Sequence, residues 1–207
     1  MNADPIARWY RWLEYCGFGG ALERRRFAFV KDVAGARRVL VLGEGDGRFL
    51  AKLVEQNPQA SIEYVDLSER MLQLARERAG TDRVTYRHNN AVTMRFPDSE
   101  YDLIVAHFFL DCLNEQDATT LIEKITKASQ PGARWVISEF REPGAWARAI
   151  VSALYFFFRV TTGLRTRNLI DHCSLLARHG FILQREETER FGLLASELWT
   201  FGDNKFR

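Results

Sequence analysis

The sequence predicts an α/β fold: a doubly wound, mostly parallel sheet with helices on both faces, an N-terminal helical cap and a closing antiparallel hairpin. Three observations carry that expectation. From Arg38 onward, short apolar runs alternate with amphipathic segments. A turn with glycine at every second position, Gly43-Glu44-Gly45-Asp46-Gly47, follows the first run. The final segments, Phe181 to Glu187 and Leu194 to Phe201, have strand character and flank a short turn.

Before the first strand, Trp9, Trp12, Leu13 and Cys16 recur at helical spacing and Gly17, Gly19 and Gly20 break the pattern. A second helix is expected to carry Leu22, Phe29, Val30 and Val33, with Arg24-Arg25-Arg26 on or near its outer face. Val39-Leu40-Val41-Leu42 is apolar throughout, as a parallel strand covered on both faces requires. Leu50, Leu53 and Val54 then mark a helix, and Ser61 to Val65 a second strand. Ser68 is placed to cap a helix bearing Met71, Leu72 and Ala75. Val84 to Tyr86, Tyr101 to Ala106 and Arg134 to Ser138 are the next strands, with Leu121, Ile122, Ile125 and Ala128 on the helix before the last of them. An aromatic helix is expected from Ala145 to Val160, and another through Leu169, Cys173 and Leu176, ended by Gly180.

Composition bounds the function. Net charge is +2, from 29 basic and 27 acidic residues, so no broad nucleic-acid surface is expected. Three widely spaced cysteines without a CxxC pair suggest neither a disulfide framework nor a zinc site, and no metal is expected. The first residues lack a secretory apolar region, and the longest uncharged aromatic run, Ala149 to Phe158, is too short to span a bilayer. A cytoplasmic protein is the expectation.

The glycine turn carries the chemistry. Glycine lets the chain reverse sharply and lets a ligand lie against the backbone. At the carboxyl end of a first strand this is where open α/β sheets bind nucleotides. Asp66 ends the second strand, 19 residues past Gly47, where a carboxylate can accept from both ribose hydroxyls. In a dinucleotide fingerprint starting at Gly43 and Gly45 the third glycine falls on Arg48, which disfavours a nicotinamide enzyme.

These residues resemble the class I S-adenosylmethionine-dependent methyltransferases over roughly Arg37 to Glu139. Val39 to Gly47 is similar to the family's first motif, and Tyr64 to Leu72 to its second. The resemblance implies a seven-stranded Rossmann-like methyltransferase fold that binds S-adenosyl-L-methionine and releases S-adenosyl-L-homocysteine. It implies cofactor contacts from Gly43, Glu44, Gly45 and Gly47, Asp66 on the ribose, Leu67 or Met71 against the adenine, and Asn90 and Ala91 at its amino edge. Two departures stand out: Val41 occupies the place of an acid that commonly helps hold the methionyl amine, and Asn90 that of an Asp. Glu44 or Asp46 is the candidate substitute for the first; either is equally readable as a solvent-facing loop residue. The one domain then divides into N-terminal helices (1–36), a cofactor-binding core (37–141), an aromatic helical insertion (142–165) and a C-terminal helix and hairpin (166–207).

His107, following the fourth strand, is the candidate general base and a further cofactor contact, expected at the cleft mouth; the alternative is a strand-end histidine with a structural hydrogen bond. Asp111 is expected to orient it or cap the next helix. Glu139 is a similar cleft candidate, or else a surface partner of Arg141. The segment Phe158 to Arg165 and the helix ending at Gly180-Phe181 resemble ubiquinone/menaquinone-type methyltransferases, which implies a small apolar or amphipathic acceptor. Peripheral membrane contact is part of that expectation, because three consecutive phenylalanines cannot all face one side of a helix. The rivals are an RNA or protein methyltransferase using Arg24-Arg25-Arg26 with Arg165 and Arg167, and a non-catalytic S-adenosylmethionine-binding protein.

Overall fold

The computed structural model describes residues 18–163, 166 and 168–202. The helix expected through Trp9, Trp12, Leu13 and Cys16 lies outside the described residues. Six helices and seven strands follow among the described residues. They are α1 (Ala21–Phe27), β1 (Arg38–Leu42), α2 (Arg48–Gln56), β2 (Ser61–Asp66), α3 (Glu69–Ala79), β3 (Val84–His88), β4 (Tyr101–His107), α4 (Glu115–Ala128), β5 (Ser129–Phe140), α5 (Ala145–Thr162), α6 (His172–Arg178), β6 (Phe181–Glu189) and β7 (Leu194–Phe201). A 3₁₀ turn, Leu110–Cys112, joins β4 to α4.

The strands form one sheet in the order β3-β2-β1-β4-β5-β7-β6. The strands from β1 to β5 pair in parallel, while β7 runs antiparallel to both β5 and β6. The doubly wound sheet with its antiparallel closing hairpin is thus the expected one. After β3 the chain returns to the other side of β1, so the crossovers diverge between β1 and β4. An open sheet leaves its binding crevice at that divergence, beyond the carboxyl ends of the strands.

Alternation within the strands makes two cores. Val39, Val41, Leu103 and Val105 face α2 and α3, where Phe49, Leu53 and Leu72 are buried. Leu40, Leu42, Ile104 and Ala106 face the other way, onto Leu121, Ile122 and Ile125 of α4 and Trp135 of β5. Each fully buried side chain of this size contributes about 1.5–3 kcal/mol. Local signals set the helix ends: Ser68 Oγ accepts from Met71 N at 3.1 Å, and Asn114 Oδ1 from Asp117 N at 2.9 Å. Asn114 therefore caps α4, the place expected of Asp111.

Two expectations about the cap are corrected. The helix ends at Phe27, and Phe29 and Val33 enter the core from turns. Of Arg24, Arg25 and Arg26, expected on or near its outer face, Arg24 is exposed as expected, whereas Arg25 is largely covered and Arg26 buried. Arg24 pairs with Glu189, Arg25 reaches Glu187 and Glu189, and Arg26 is 2% exposed, its guanidinium 5.2 Å from the Phe108 ring centroid. The reason is packing: α1 lies against β5, β6 and β7, so its three arginines meet acids and an aromatic ring.

Gly47 tests the architecture directly. Its φ is +80°, and a Cβ there would stand 2.5 Å from Ala75 Cα of α3. Gly47→Val should cost about 2–3 kcal/mol from strain and overlap, lowering the melting temperature by roughly 5–10 °C. A melting temperature within a degree of wild type would contradict this packing role.

Candidate cofactor and acceptor cleft

The crevice at the ends of β1, β2 and β4 is a cleft holding about 670 Å³ of empty space, open solvent included. Gly43 and Gly45 form its floor. Val65, Asp66, Leu67 and Met71 line one side, Asn89, Asn90 and Ala91 continue it, and Phe108, Phe109, Cys112 and Leu113 close the other. The structure therefore brings together Gly43, Gly45, Asp66, Leu67, Met71, Asn90 and Ala91 from the sequence-derived site. Glu44, Gly47 and His107 do not line it.

The glycine turn explains that division. Gly43, Gly45 and Gly47 all have positive φ, at 53°, 92° and 80°. Gly43 N donates to Val65 O at 2.9 Å, fixing the turn to β2. A Cβ at Gly43 would lie 2.3 Å from Phe109 Cδ2, so this ring covers the bare backbone. Gly45 O accepts from the buried Tyr64 hydroxyl at 2.6 Å. Gly47 packs against Ala75 of α3 and is not among the cleft-lining residues.

The two acids between the glycines point inward, not to solvent. Glu44 is 2% exposed and accepts from Phe49 N at 3.2 Å, satisfying a free N–H at the start of α2. Burial pushes its carboxyl up to about 7, partly offset by the nearby Arg26 charge. Its Oε2 is buried without a hydrogen-bond partner among the described residues. Burial also pushes Asp46 upward, but Arg48 at 2.9 Å and Arg78 at 2.8 Å outweigh it and hold the carboxyl below its usual range. Opposite them, Asp66 Oδ1 accepts from Ser68 N at 2.8 Å, so the carboxylate is held at the cleft edge by its own turn. Asn90 Oδ1 accepts from Val92 N at 2.9 Å, closing the turn after β3.

His107 is not at the cleft mouth. The side chain is 1% exposed, on the same face of β4 as Leu103 and Val105. Its ring centroid lies 4.6 Å from that of Phe49, and Nδ1 is 2.9 Å from Ser138 Oγ. Ser138 Oγ also lies 3.0 Å from Arg25 O and 3.2 Å from Ser196 Oγ, so the histidine joins a buried hydroxyl network. Burial, reinforced by the Arg26 charge, holds the imidazole well below its usual pKa and keeps it neutral. The strand's period of two turns His107 toward α2 and leaves the next residues to face the ligand. That same period was the signal that could have found Phe108; Val65, Asn89, Phe109, Cys112 and Leu113 also line the cleft outside the sequence-derived set, and the period does not mark them.

The loop carrying those residues is held from beneath. Phe108 adopts a left-handed φ of 53° and donates its N–H to Ser138 O at 2.6 Å. Glu139 Oε1 accepts from Phe109 N at 3.1 Å and Leu110 N at 2.7 Å, with Asp111 N 3.4 Å from Oε2. Glu139 is therefore neither a cleft group nor the partner of Arg141; it binds the backbone of the acceptor-side loop. Burial, with the adjacent Asp111 charge, raises its carboxyl well above the usual range, and burial raises Asp111 to about 6. Asp111 is distant from the role of orienting His107, since its carboxylate lies against Cys112 Sγ at 3.3 Å.

Next to this pair is a buried polar cluster. Glu197 accepts from His172 Nε2 at 3.1 Å and Trp199 Nε1 at 2.7 Å, and it pairs with Arg141. Burial alone would raise Glu197, yet His172, Arg141 and Trp199 bring it down to about 2. Burial lowers His172, but Cys173 and Glu197 outweigh that and raise it well above the usual imidazole value.

A glycine-floored crevice with a strand-end carboxylate, on a sheet closed by an antiparallel β7, defines a protein with a methyltransferase-type fold. Comparison with known proteins agrees. The family described as methyltransferase domain matches residues 39–132. Demethylmenaquinone methyltransferase of Deinococcus radiodurans is 33% identical over 135 residues, 64% of this chain and 55% of that protein. The chain thus spans about half the length of that relative. An S-adenosylmethionine-dependent methyltransferase structure from Mesorhizobium loti superposes with a TM-score of 0.68 at 20% identity, covering 89% of this chain and 97% of that one. The N-methyltransferase NodS from Bradyrhizobium japonicum WM9, in complex with S-adenosyl-L-homocysteine, gives 0.64 at 15%, covering 88% and 84%. Residues 39–132 thus match the methyltransferase-domain family, and the chain has the fold of the class I S-adenosylmethionine-dependent methyltransferases, with a distant resemblance to the menaquinone and ubiquinone enzymes.

The Glu197 cluster sets a pH dependence. A carboxyl held below its unfolded value stabilises the fold above that value, and the contribution disappears as pH falls from about 4.5 toward 2. His172, raised, acts in the opposite sense: its contribution is full below about 6.5 and is lost as pH rises through the higher folded value. Melting temperatures of wild type and Glu197→Gln should therefore lie closest together at the acid end and separate as pH rises toward 6. A constant difference across that range would show that Glu197 carries no charge-dependent stability.

Proposed function

We propose that this protein transfers a methyl group from S-adenosylmethionine to a small apolar or amphipathic acceptor. The observation that carries the reading is the juxtaposition in one cleft of the bare Gly43 and Gly45 backbone, the Asp66 carboxylate, and an apolar wall of Phe108, Phe109 and Leu113. In this reading Asp66 accepts from the ribose hydroxyls, Leu67 and Met71 pack against the adenine, and Asn90 and Ala91 meet its amino edge. Glu44 does not line the open cleft, yet its buried Oε2 has no hydrogen-bond partner among the described residues, and in this reading the methionyl amine reaches it in place of the acid that Val41 replaces. The aromatic wall receives the acceptor.

The reaction is an in-line displacement, in which the acceptor atom bonds to the methyl carbon as the carbon–sulfur bond breaks and the thioether leaves. The protein's contribution is alignment and exclusion of water. The cleft-lining residues carry two titratable side chains, Asp66 and Cys112. Asp66 is assigned to the ribose, and burial raises the Cys112 thiol well above its usual pKa. His107, buried and neutral behind the sheet, has no place in this mechanism. The reading therefore favours acceptors that are already nucleophilic at neutral pH. An RNA acceptor has less support, since Arg24, Arg25 and Arg26 are turned to acids and an aromatic ring.

Calorimetric titration should show binding of S-adenosylmethionine and S-adenosylhomocysteine and none of NAD; the opposite preference would sink the proposal. Asp66→Ala loses charge-assisted bonds of about 1.5–3 kcal/mol each, so affinity for S-adenosylhomocysteine should fall at least about tenfold. An unchanged dissociation constant would leave Asp66 a turn residue. Glu44→Gln keeps an oxygen for Phe49 N and removes a desolvated carboxylate, so the apo protein should melt no lower than wild type while cofactor affinity drops. Equal affinity in that variant would confine Glu44 to capping α2.

A further inference from the structure

The mechanism leaves unused the outer face of α5. Its inner face packs through Ala147, Val151 and Tyr155, and Tyr155 Oη donates to Asp111 O at 2.9 Å, tying the helix to the loop beside the cleft. The opposite face should be polar on a surface helix. Instead Trp146, Ile150, Phe156, Phe157 and Val160 are exposed on it, Phe156 by 66% and Val160 by 70%. Phe191, 93% exposed, extends the patch from the β6–β7 turn, its ring 6.5 Å from that of Trp146. The turn holds Phe191 outward through two consecutive non-glycine residues with positive φ, Arg190 and Phe191.

Charge says what covers this patch. From Ala145 to Ile170 the sequence holds four arginines, Arg148, Arg159, Arg165 and Arg167, and no acidic residue, although the whole chain carries only +2. Glu142, just before the helix, pairs with Arg148 at 3.4 Å. No helix among the described residues is long and apolar enough to cross a membrane, and α5 itself carries two arginines. We infer that the outer face of α5, with Phe191, docks on an anionic lipid surface, its aromatic side chains entering the headgroup boundary while Arg148 and Arg159 of the same helix meet lipid phosphates. An apolar stripe flanked by cations without acids is what such an interfacial helix needs. A two-fold pairing of this face with a second copy would instead set one arginine-rich segment against another, which like-charge repulsion opposes.

Docking stands independently of methyl transfer. Only its consequence, that the acceptor enters from the bilayer beside the cleft, rests on the function proposed above. The test is co-sedimentation of the full chain with vesicles of phosphatidylcholine and phosphatidylglycerol (7:3) and of phosphatidylcholine alone. Alongside run Phe156→Asp/Val160→Asp, whose substituted side chains are solvent-exposed, and light scattering for mass. Binding to the anionic vesicles is expected, weaker on neutral ones and in high salt, and reduced at least about tenfold in the double variant. Circular dichroism melting of the variant checks that it is folded. Failure of folded wild type to bind anionic vesicles would overturn the inference, as would equal binding by the folded variant. A wild-type dimer that the substitutions convert to monomer, without vesicle binding, would assign the face to a second copy. Should the variant not fold, Arg159→Gln in its place must weaken the anionic-vesicle binding, and unchanged binding refutes the assignment. Titration with S-adenosylhomocysteine on the same samples separates loss of docking from failure of the cofactor reading.

Discussion

The turn from β1 into α2 constrains most of what surrounds it. Backbone at Gly43, Gly45 and Gly47 lies in conformations that side chains strain, and at Gly43 and Gly47 there is no room for a Cβ in any case. One glycine lets Phe109 close over the floor of the cleft, and another lets α3 approach α2. Because the turn is tight, Glu44, five residues before Phe49, accepts from Phe49 N at the start of α2, while Asp46 is drawn to Arg48 and Arg78. Ligand floor, helix start and helix packing thus share five residues.

Buried carboxylates do the corresponding work on the acceptor side. Glu139 gathers the N–H groups that follow β4 and fixes a loop whose backbone would otherwise leave several donors unsatisfied away from water. Glu197 is fully engaged by a histidine, an arginine and an indole. Their titration differs for a physical reason. Glu197 has cationic partners, so attraction overcomes desolvation, whereas Glu139 has neutral amides and a neighbouring acid, so desolvation wins. A carboxylate at a strand end is therefore not by itself evidence of catalysis in this fold.

Helix α5 joins these themes by having two different apolar faces. The inner one completes the core between α1 and the β6–β7 turn and reaches the cleft loop through Tyr155. The outer one is unmatched within the described residues. A helix that needed only to pack would carry a single stripe.

The order of strands and helices was legible because buried parallel strands are continuously apolar and their helices carry one apolar stripe, both local patterns. Gly43, Gly45 and Asp66 were legible as well, since a cleft floor and a strand-end acid depend on nearest neighbours along the chain. The two phenylalanines of 156 and 157 were readable as surplus to one core face, by helical geometry alone. His107, Glu139 and Arg26 were not legible. Each is polar and turned away from the site, and for two of them the destination is set by partners 28 or more residues distant: Ser138 for His107 and the 109–111 backbone for Glu139. Sequence pattern determined which elements form and where the crevice lies, because those follow from local periodicity and chain reversal. Which side of a strand a polar residue faces, and what satisfies it there, only the tertiary structure decided, because buried polar groups are placed by the donors and acceptors that the folded chain happens to bring against them.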